Sequence, residues 1–205
     1  TDIDPDDVDR LVELLARTRG VDLRAYKRAT VTRRLQRRLD AREQPTVAAY
    51  LDLLEVDPGE VAALLDAVLI NVTAFRRDEE AWRFLADEVL PGILDRAVGE
   101  PIRVWSAGCS TGEEAYTLAM VLAEALGPEV FSARVKIFAT DVDEGALAVA
   151  RAGVYPVEAV AELSAELVDR YFERLGDEVS FRSDLRQCLI FGRHDLLRDP
   201  RSPAS

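Results

Sequence analysis

The sequence has a single histidine, His194, and only two cysteines, Cys109 and Cys188. One histidine leaves little material for a histidine-based triad or a histidine-ligated zinc site. The cysteines stand far apart without metal-site spacing, so reduced thiols are expected rather than a disulfide, and no metal is expected. No apolar run reaches the roughly 18–20 residues of a membrane span, and no signal-peptide pattern opens the sequence. A cytoplasmic protein without direct membrane insertion is therefore the expectation. Positive charge is also short: 26 Lys and Arg stand against 38 Asp and Glu, a net charge of −12 that argues against general nucleic-acid binding. No internal repeat or low-complexity tract is visible.

What is present suffices for a core. With 48% hydrophobic residues, the 205-residue chain can build one ordinary domain or two small ones. Asp4-Pro5 reads as a helix start, with Asp as cap and Pro in the first turn. Val8, Leu11, Val12, Leu14 and Leu15 continue it as an apolar stripe that Gly20 ends. A second helix is expected from Leu23 to about Arg42, apolar at Leu23, Tyr26, Val31, Leu35 and Leu39. Its remaining positions carry Arg24, Lys27, Arg28, Arg33, Arg34, Arg37, Arg38 and Arg42, which are 8 of the 26 basic residues. Such a run reads either as a solvated helix face or as a docking face for an acidic partner, because local field rather than net charge steers encounter. Pro45 is expected to start a third helix through Leu54. Asp57-Pro58-Gly59 is expected to turn, and a fourth helix to run from Glu60 to about Ile70. Residues 1–70 thus read as an all-helical domain.

The polar stretch Asn71-Val-Thr-Ala-Phe-Arg-Arg-Asp78 follows, a linker or a site, and Asp78 is expected to cap the next helix. Pro91 is expected to interrupt or kink that helix. Ile102 to Ala107 reads as a strand, Gly108 and Gly112 bracket a tight loop, and Glu113 and Glu114 open a helix that Gly127-Pro128 stops. Strand, glycine loop and helix form the unit that cradles a nucleotide-like ligand at the carboxyl end of a parallel strand. The loop lacks the Lys of a phosphate-binding P-loop and the G-x-G-x-x-G of a dinucleotide site. Two carboxylates at the helix start would repel a pyrophosphate, so a ligand with hydroxyls and positive charge fits better. The competing reading is an acidic helix start after an ordinary turn. Val135 to Thr140 reads as a second strand, placing Asp141 where a carboxylate can bind ribose hydroxyls, whereas Asp143 suits a helix N-cap. Residues 154–175 look helical in part, with Ser164 a cap; Val179–Phe181 and Gln187–Phe191 read as strands.

Three blocks carry a resemblance: Asn71-Val-Thr-Ala-Phe-Arg-Arg-Asp78, Trp105-Ser-Ala-Gly-Cys-Ser-Thr-Gly-Glu-Glu-Ala-Tyr116 and Ala139-Thr-Asp-Val-Asp143. Together they resemble the CheR-type chemotaxis methyltransferases, and Tyr26-Lys-Arg-Ala-Thr-Val-Thr-Arg-Arg34 is similar to the basic helix of that family's N-terminal domain. The resemblance implies an α/β protein: an N-terminal helical receptor-recognition domain, residues 1–70, then the first half of a doubly wound, Rossmann-like methyltransferase sheet, residues 71–205. It implies methyl transfer from S-adenosylmethionine to chemoreceptor glutamates, with S-adenosylhomocysteine as product. Cofactor contacts would come from Asn71, Thr73 and Arg77 in the linker, Gly108 and Glu114 at the loop, Asp141 on the ribose, and Asp195 and Leu196 on the adenine side. Arg77 would position a carboxylate; its alternative is an ion pair with Asp78 or Glu80. Arg33, Arg34, Arg37 and Arg38 would meet the acidic methylation helices of the receptor's cytoplasmic domain. Two departures stand out, Arg76 where the family favours a second aromatic and Asp195 where it often has Asn. The family's pattern continues with further strands and a Cys-Arg-Asn-x-x-Ile-Tyr block beyond residue 205. An open edge beside the first strand would then invite self-association. Two other readings stay open, a non-catalytic module that binds cofactor or receptor, and a small-molecule methyltransferase.

Overall fold

The computed structural model describes residues 3–19, 21, 23–69, 73–196, 198 and 199. The chain divides into two units, Thr1–Ile70 and Asn71–Ser205. In the first, capping chemistry sets the helix boundaries. Helix α1 (Pro5–Arg19) starts where the Asp4 carboxylate accepts the Asp6 N–H at 2.9 Å. Helix α2 (Arg28–Ala41) begins later than its apolar pattern suggests, because Leu23–Ala25 forms a separate 3-10 turn. Thr46, not Pro45, caps α3 (Val47–Val56) by accepting the Ala49 N–H at 3.2 Å. The expected turn at Asp57-Pro58-Gly59 is instead the start of α4 (Pro58–Val68). The Asp57 carboxylate accepts the Gly59 and Glu60 N–H groups, and Pro58, which has no N–H to satisfy, takes the first helical position. Val8, Leu11, Leu15, Val31, Leu35, Leu39, Tyr50 and Leu64 bury the shared core.

The second unit opens with α5 (Glu79–Phe84), a π turn (Leu85–Val89) and α6 (Leu90–Arg96). Pro91 accounts for the irregularity. It has no N–H for the Asp87 carbonyl, and Leu90 N–H reaches back five residues to Leu85. Strand β1 (Ile102–Ala107) leads through the glycine loop into α7 (Glu113–Leu126). Pro128 then opens α8 (Pro128–Arg134), followed by β2 (Val135–Asp141) and α9 (Glu144–Ala152). Asp143 caps α9 by accepting from Gly145 and Ala146 N–H, the role its position suggested. Next come β3 (Val154–Pro156), α10 (Ala165–Tyr171) capped by Ser164, β4 (Phe172–Leu175), β5 (Glu178–Phe181), α11 (Ser183–Arg186) and β6 (Leu189–Arg193).

Strands β1, β2 and β6 pair in that order, all parallel, with Ile102 opposite Val135 and Ile137 opposite Leu189. This is the expected α/β arrangement, with α7 packing its buried Ala115, Ala119 and Met120 into the core beside the sheet. A second sheet is legible only in part in the sequence: β3, β5 and β4 form a small antiparallel sheet in that order, in which β5 contains the expected strand Val179–Phe181, while β3 and β4 fall in the stretch 154–175 that reads as partly helical. Strands β3 and β4 are three and four residues long, too short to display an alternating pattern. An aromatic cluster joins it to the main core. Phe75 meets Tyr155 and Phe172 edge-on at 5.1 and 5.2 Å, and Tyr116 lies 4.5 Å from Phe181. A cavity of about 600 Å³ lies against the small sheet, lined by Val160, Leu163, Val168, Phe172 and Val179.

Candidate functional site

The carboxyl ends of β1 and β2 converge on the glycine loop. Gly108 and Cys109 N–H both donate to the Thr140 carbonyl, at 2.7 and 2.9 Å, which clamps the loop across the strand ends. Gly108 takes φ +76°, and the space where a side chain would stand is open. Gly112 differs, because at φ +97° a Cβ there would come within 2.9 Å of the Ala150 Cβ. It is glycine for packing against α9, not for approach to a ligand.

Asp141 lies beside this loop, as its position in the sequence suggested. One carboxylate oxygen accepts the Ser110 N–H at 2.7 Å, the other the Asp143 N–H at 2.9 Å. An ionised carboxylate offers about four acceptor sites, so both oxygens keep capacity for further donors such as a pair of hydroxyls. Glu114 is exposed at the start of α7 and is oriented by Ser106, whose buried hydroxyl donates to it at 2.6 Å. Glu113 is buried instead, accepting from the Thr111 hydroxyl at 2.6 Å. Burial first, and then the charges of Asp141, Glu114 and Glu113, push the Cys109 thiol up to about 12. Cys109 is therefore a neutral thiol at physiological pH, and the field around the loop is negative. The residues present thus fit S-adenosylmethionine: an acceptor for hydroxyls, room at Gly108, and carboxylates suited to a cationic sulfur rather than to phosphates.

The linker is an irregular strap. Thr73 is half-buried, Phe75 is 3% exposed in the aromatic cluster, and Arg77 is exposed. Arg76, expected to replace an aromatic with a charge near the site, forms a bidentate pair with Glu79 at 2.7 and 2.9 Å. Asp78 sits at the N-cap position of α5 but at φ +60°, and its side chain makes no capping bond there, contrary to expectation. A left-handed backbone carries its carboxylate away from the first helical N–H groups. The Arg77 carbonyl accepts the Trp82 indole N–H at 2.7 Å. Asn71 falls outside the described residues.

At the end of β6 the chain still runs beside Asp141, the partner of Arg193 in the parallel register. His194 N–H donates to the Asp141 carbonyl at 2.9 Å, and its ring meets Trp105 edge-on at 5.5 Å. Asp195 is buried and its N–H donates to Asp199, whereas Leu196 is 59% exposed.

The four arginines expected on the docking face separate. Arg33 and Arg37 are exposed, with no ion pair among the described residues, and Arg34 is half-buried. Arg38 departs from the expectation: its guanidinium binds the buried Glu60 through two bonds of 2.9 and 2.6 Å. A guanidinium committed to a buried carboxylate is not available to a partner. No sequence signal marks Ser106, Thr111 or Thr117 as residues that orient the loop and linker, and Ser106 and Thr117 act across strand–helix and helix–linker contacts.

Comparison with known proteins gives two matches that together cover almost the whole chain. Residues 6–69 match the family described as CheR methyltransferase, all-alpha domain, and residues 71–205 match CheR methyltransferase, SAM binding domain. The chain is 41% identical over 192 residues to an uncharacterised 104.1 kDa protein of Rhodobacter capsulatus, covering 93% of this chain and 20% of that protein. It is 38% identical over 196 residues to chemotaxis protein methyltransferase 2 of Pseudomonas aeruginosa, covering 94% of this chain and 68% of the relative. With the chemotaxis protein methyltransferase of Escherichia coli K12 the identity is 39% over 167 residues, covering 80% and 56%. The chain thus spans a fifth of the first relative and roughly half to two thirds of the others.

Proposed function

As the chain belongs to the CheR methyltransferase family, we propose that it binds S-adenosylmethionine at the carboxyl end of its parallel sheet and serves methylation of glutamate side chains on chemoreceptors. The observation that carries this reading is Asp141: a carboxylate at the end of β2, braced by Ser110 and Asp143 N–H groups and facing a loop without phosphate-binding features. When bound, the cofactor supplies a methyl group on a positively charged sulfur. Asp141 holds the ribose hydroxyls, Gly108 lets the ligand approach the backbone, and Glu114 faces the cationic end. From the linker, Asn71, Thr73 and Arg77 would contact the cofactor, with Asp195 and Leu196 on its adenine side. Arg77 is the catalytic residue of this reading, its planar fork orienting a carboxylate. A glutamate with an ordinary pKa of about 4.3 is ionised at neutral pH, so no side chain of the protein has to act as a base. The protein's contribution is alignment and exclusion of water.

Calorimetric titration of the chain with S-adenosylhomocysteine, beside ADP as a phosphate-bearing control, tests the pocket. Binding of the first and not the second is expected; equal or tighter binding of ADP overturns the reading. Transfer of a tritiated methyl group to receptor glutamates then separates a methyltransferase from a non-catalytic binding module, which would bind and transfer nothing.

The receptor's methylation helices are acidic, and α2 offers them Arg33 and Arg37, one turn apart on its exposed side. Reversing both to Glu should weaken receptor association by roughly tenfold or more at low salt, with the difference shrinking as ionic strength rises. S-adenosylhomocysteine affinity should not change. Equal association of the variant and parent chains in a salt series would rule out this docking face.

A further inference from the structure

The linker that carries Thr73 and Arg77 has no regular secondary structure of its own between residues 73 and 78, yet it holds two strained positions. Arg76 and Asp78 take φ +50° and +60°, the left-handed region that side chains other than glycine avoid. Strain of this kind persists only where neighbours over-determine the conformation. Phe75 anchors the strap in the aromatic cluster, and Trp82 holds the Arg77 carbonyl from the α5 side. One further contact ties the strap's backbone to α7. The Arg76 N–H donates to the Thr117 hydroxyl at 3.0 Å, and that hydroxyl donates to the Glu113 carbonyl at 2.7 Å.

We propose that Thr117, fully buried in α7, is a positioning residue that sets the linker's cofactor-binding side chains against the glycine-loop helix. This deepens the cofactor reading above and rests on it. The hydroxyl has one proton, and the Glu113 carbonyl takes it, so the oxygen can face Arg76 only as an acceptor. The donor it accepts lies immediately before Arg77, and the carbonyl it binds lies immediately before Glu114. Thr117 therefore sets the register between the two halves of the site without touching either ligand or substrate. A valine has nearly the same shape but would leave the half-buried Arg76 N–H unpaired and remove the reason for its left-handed backbone.

Amide hydrogen exchange tests this without any ligand. In the parent chain the Arg76 amide should be protected, and Thr117→Val should raise its exchange rate selectively over amides of the β1–β2 sheet. An Arg76 amide exchanging as fast as open coil in the parent chain overturns the proposal, even if the valine variant does not fold. In calorimetry, Thr117→Val should lose about tenfold or more in S-adenosylhomocysteine affinity, and Thr117→Ser, which restores the hydroxyl, should recover most of it. In a cycle with Arg77→Ala, the two losses should be less than additive, because both act through the same strap. Additive losses, or an unchanged affinity in Thr117→Val, count against the proposal. A parent chain that fails to bind S-adenosylhomocysteine would instead defeat the cofactor reading, leaving the exchange result to judge Thr117.

Discussion

Asp141→Ala should lower S-adenosylhomocysteine affinity at least about a hundredfold, the largest loss expected for any single substitution in the site. A hydrogen bond to a charged group contributes about 1.5–3 kcal/mol, and two ribose hydroxyls would lose one each, against about 1.4 kcal/mol per tenfold. The same carboxylate braces the loop, since Ser110 and Asp143 N–H groups both depend on it, so some of the loss would come from a loosened loop. A 2′-deoxy analogue separates the two contributions. The parent chain should bind it roughly tenfold or more weakly than the full ligand, while Asp141→Ala should hardly distinguish the two. Asp141→Asn, which keeps one acceptor oxygen, should fall between. If Asp141→Ala discriminates the analogue as strongly as the parent chain does, the carboxylate is not the ribose acceptor.

The largest expected effect on stability lies in the helical unit. Glu60 is buried between α2, α3 and α4, accepting two bonds from Arg38, one from the Tyr50 hydroxyl at 2.6 Å, and a longer approach from Arg42 at 3.2 Å. Burial alone would push its carboxyl up, but the bonds from Arg38 and Tyr50 and the charges of Arg38 and Arg42 outweigh it, so it lies below the ordinary value of 4.5. Glu60→Ala leaves the Arg38 guanidinium and the Tyr50 phenol without their acceptor, while Arg42 keeps Asp57 at 3.3 Å, and should destabilise this unit by about 3–5 kcal/mol. Arg38→Ala should cost less, because Arg42 and Tyr50 still meet the carboxylate. Denaturant unfolding followed by a probe in residues 1–70 measures both. The sign with pH follows from the lowered value. Glu60 stabilises fully above the unfolded-state value, and that contribution is lost as pH falls through the lower folded value. The parent chain should therefore lose helical-unit stability on acidification below pH 4.5, and Glu60→Ala should show a flatter dependence there. A variant as stable as the parent chain, with the same acid profile, would show that the network contributes nothing net.

These two carboxylates mark the difference between what is legible in the sequence and what is not. Asp141 can be read because its place follows from a local pattern: a strand of about six residues ends where the next turn begins, and a carboxylate at that end faces the neighbouring loop in a parallel sheet. Asp143 and Ser164 as caps are readable for the same reason, since each acts within a few residues of itself. Glu60 cannot be read. In the sequence it is one acid at the start of an apolar helix, and nothing within a turn of it announces Arg38, 22 residues earlier. Arg38 looks partner-facing in the sequence for the same reason, because a charge run shows composition and not which members turn inward.

The sequence by itself determined the order of most elements, the division near residue 70, the glycine-loop strand and the strand before Asp141, and the chemical character of the loop between them. All of these arise from short-range periodicity, turn residues and charge. Only the tertiary structure decided that Gly112 serves packing against Ala150, that β3, β4 and β5 form a second sheet, that Arg38 serves Glu60, and that Thr117 grips the linker. Each of these is a contact between residues distant in the chain, whose partners are selected by packing geometry rather than by any pattern that neighbouring residues carry.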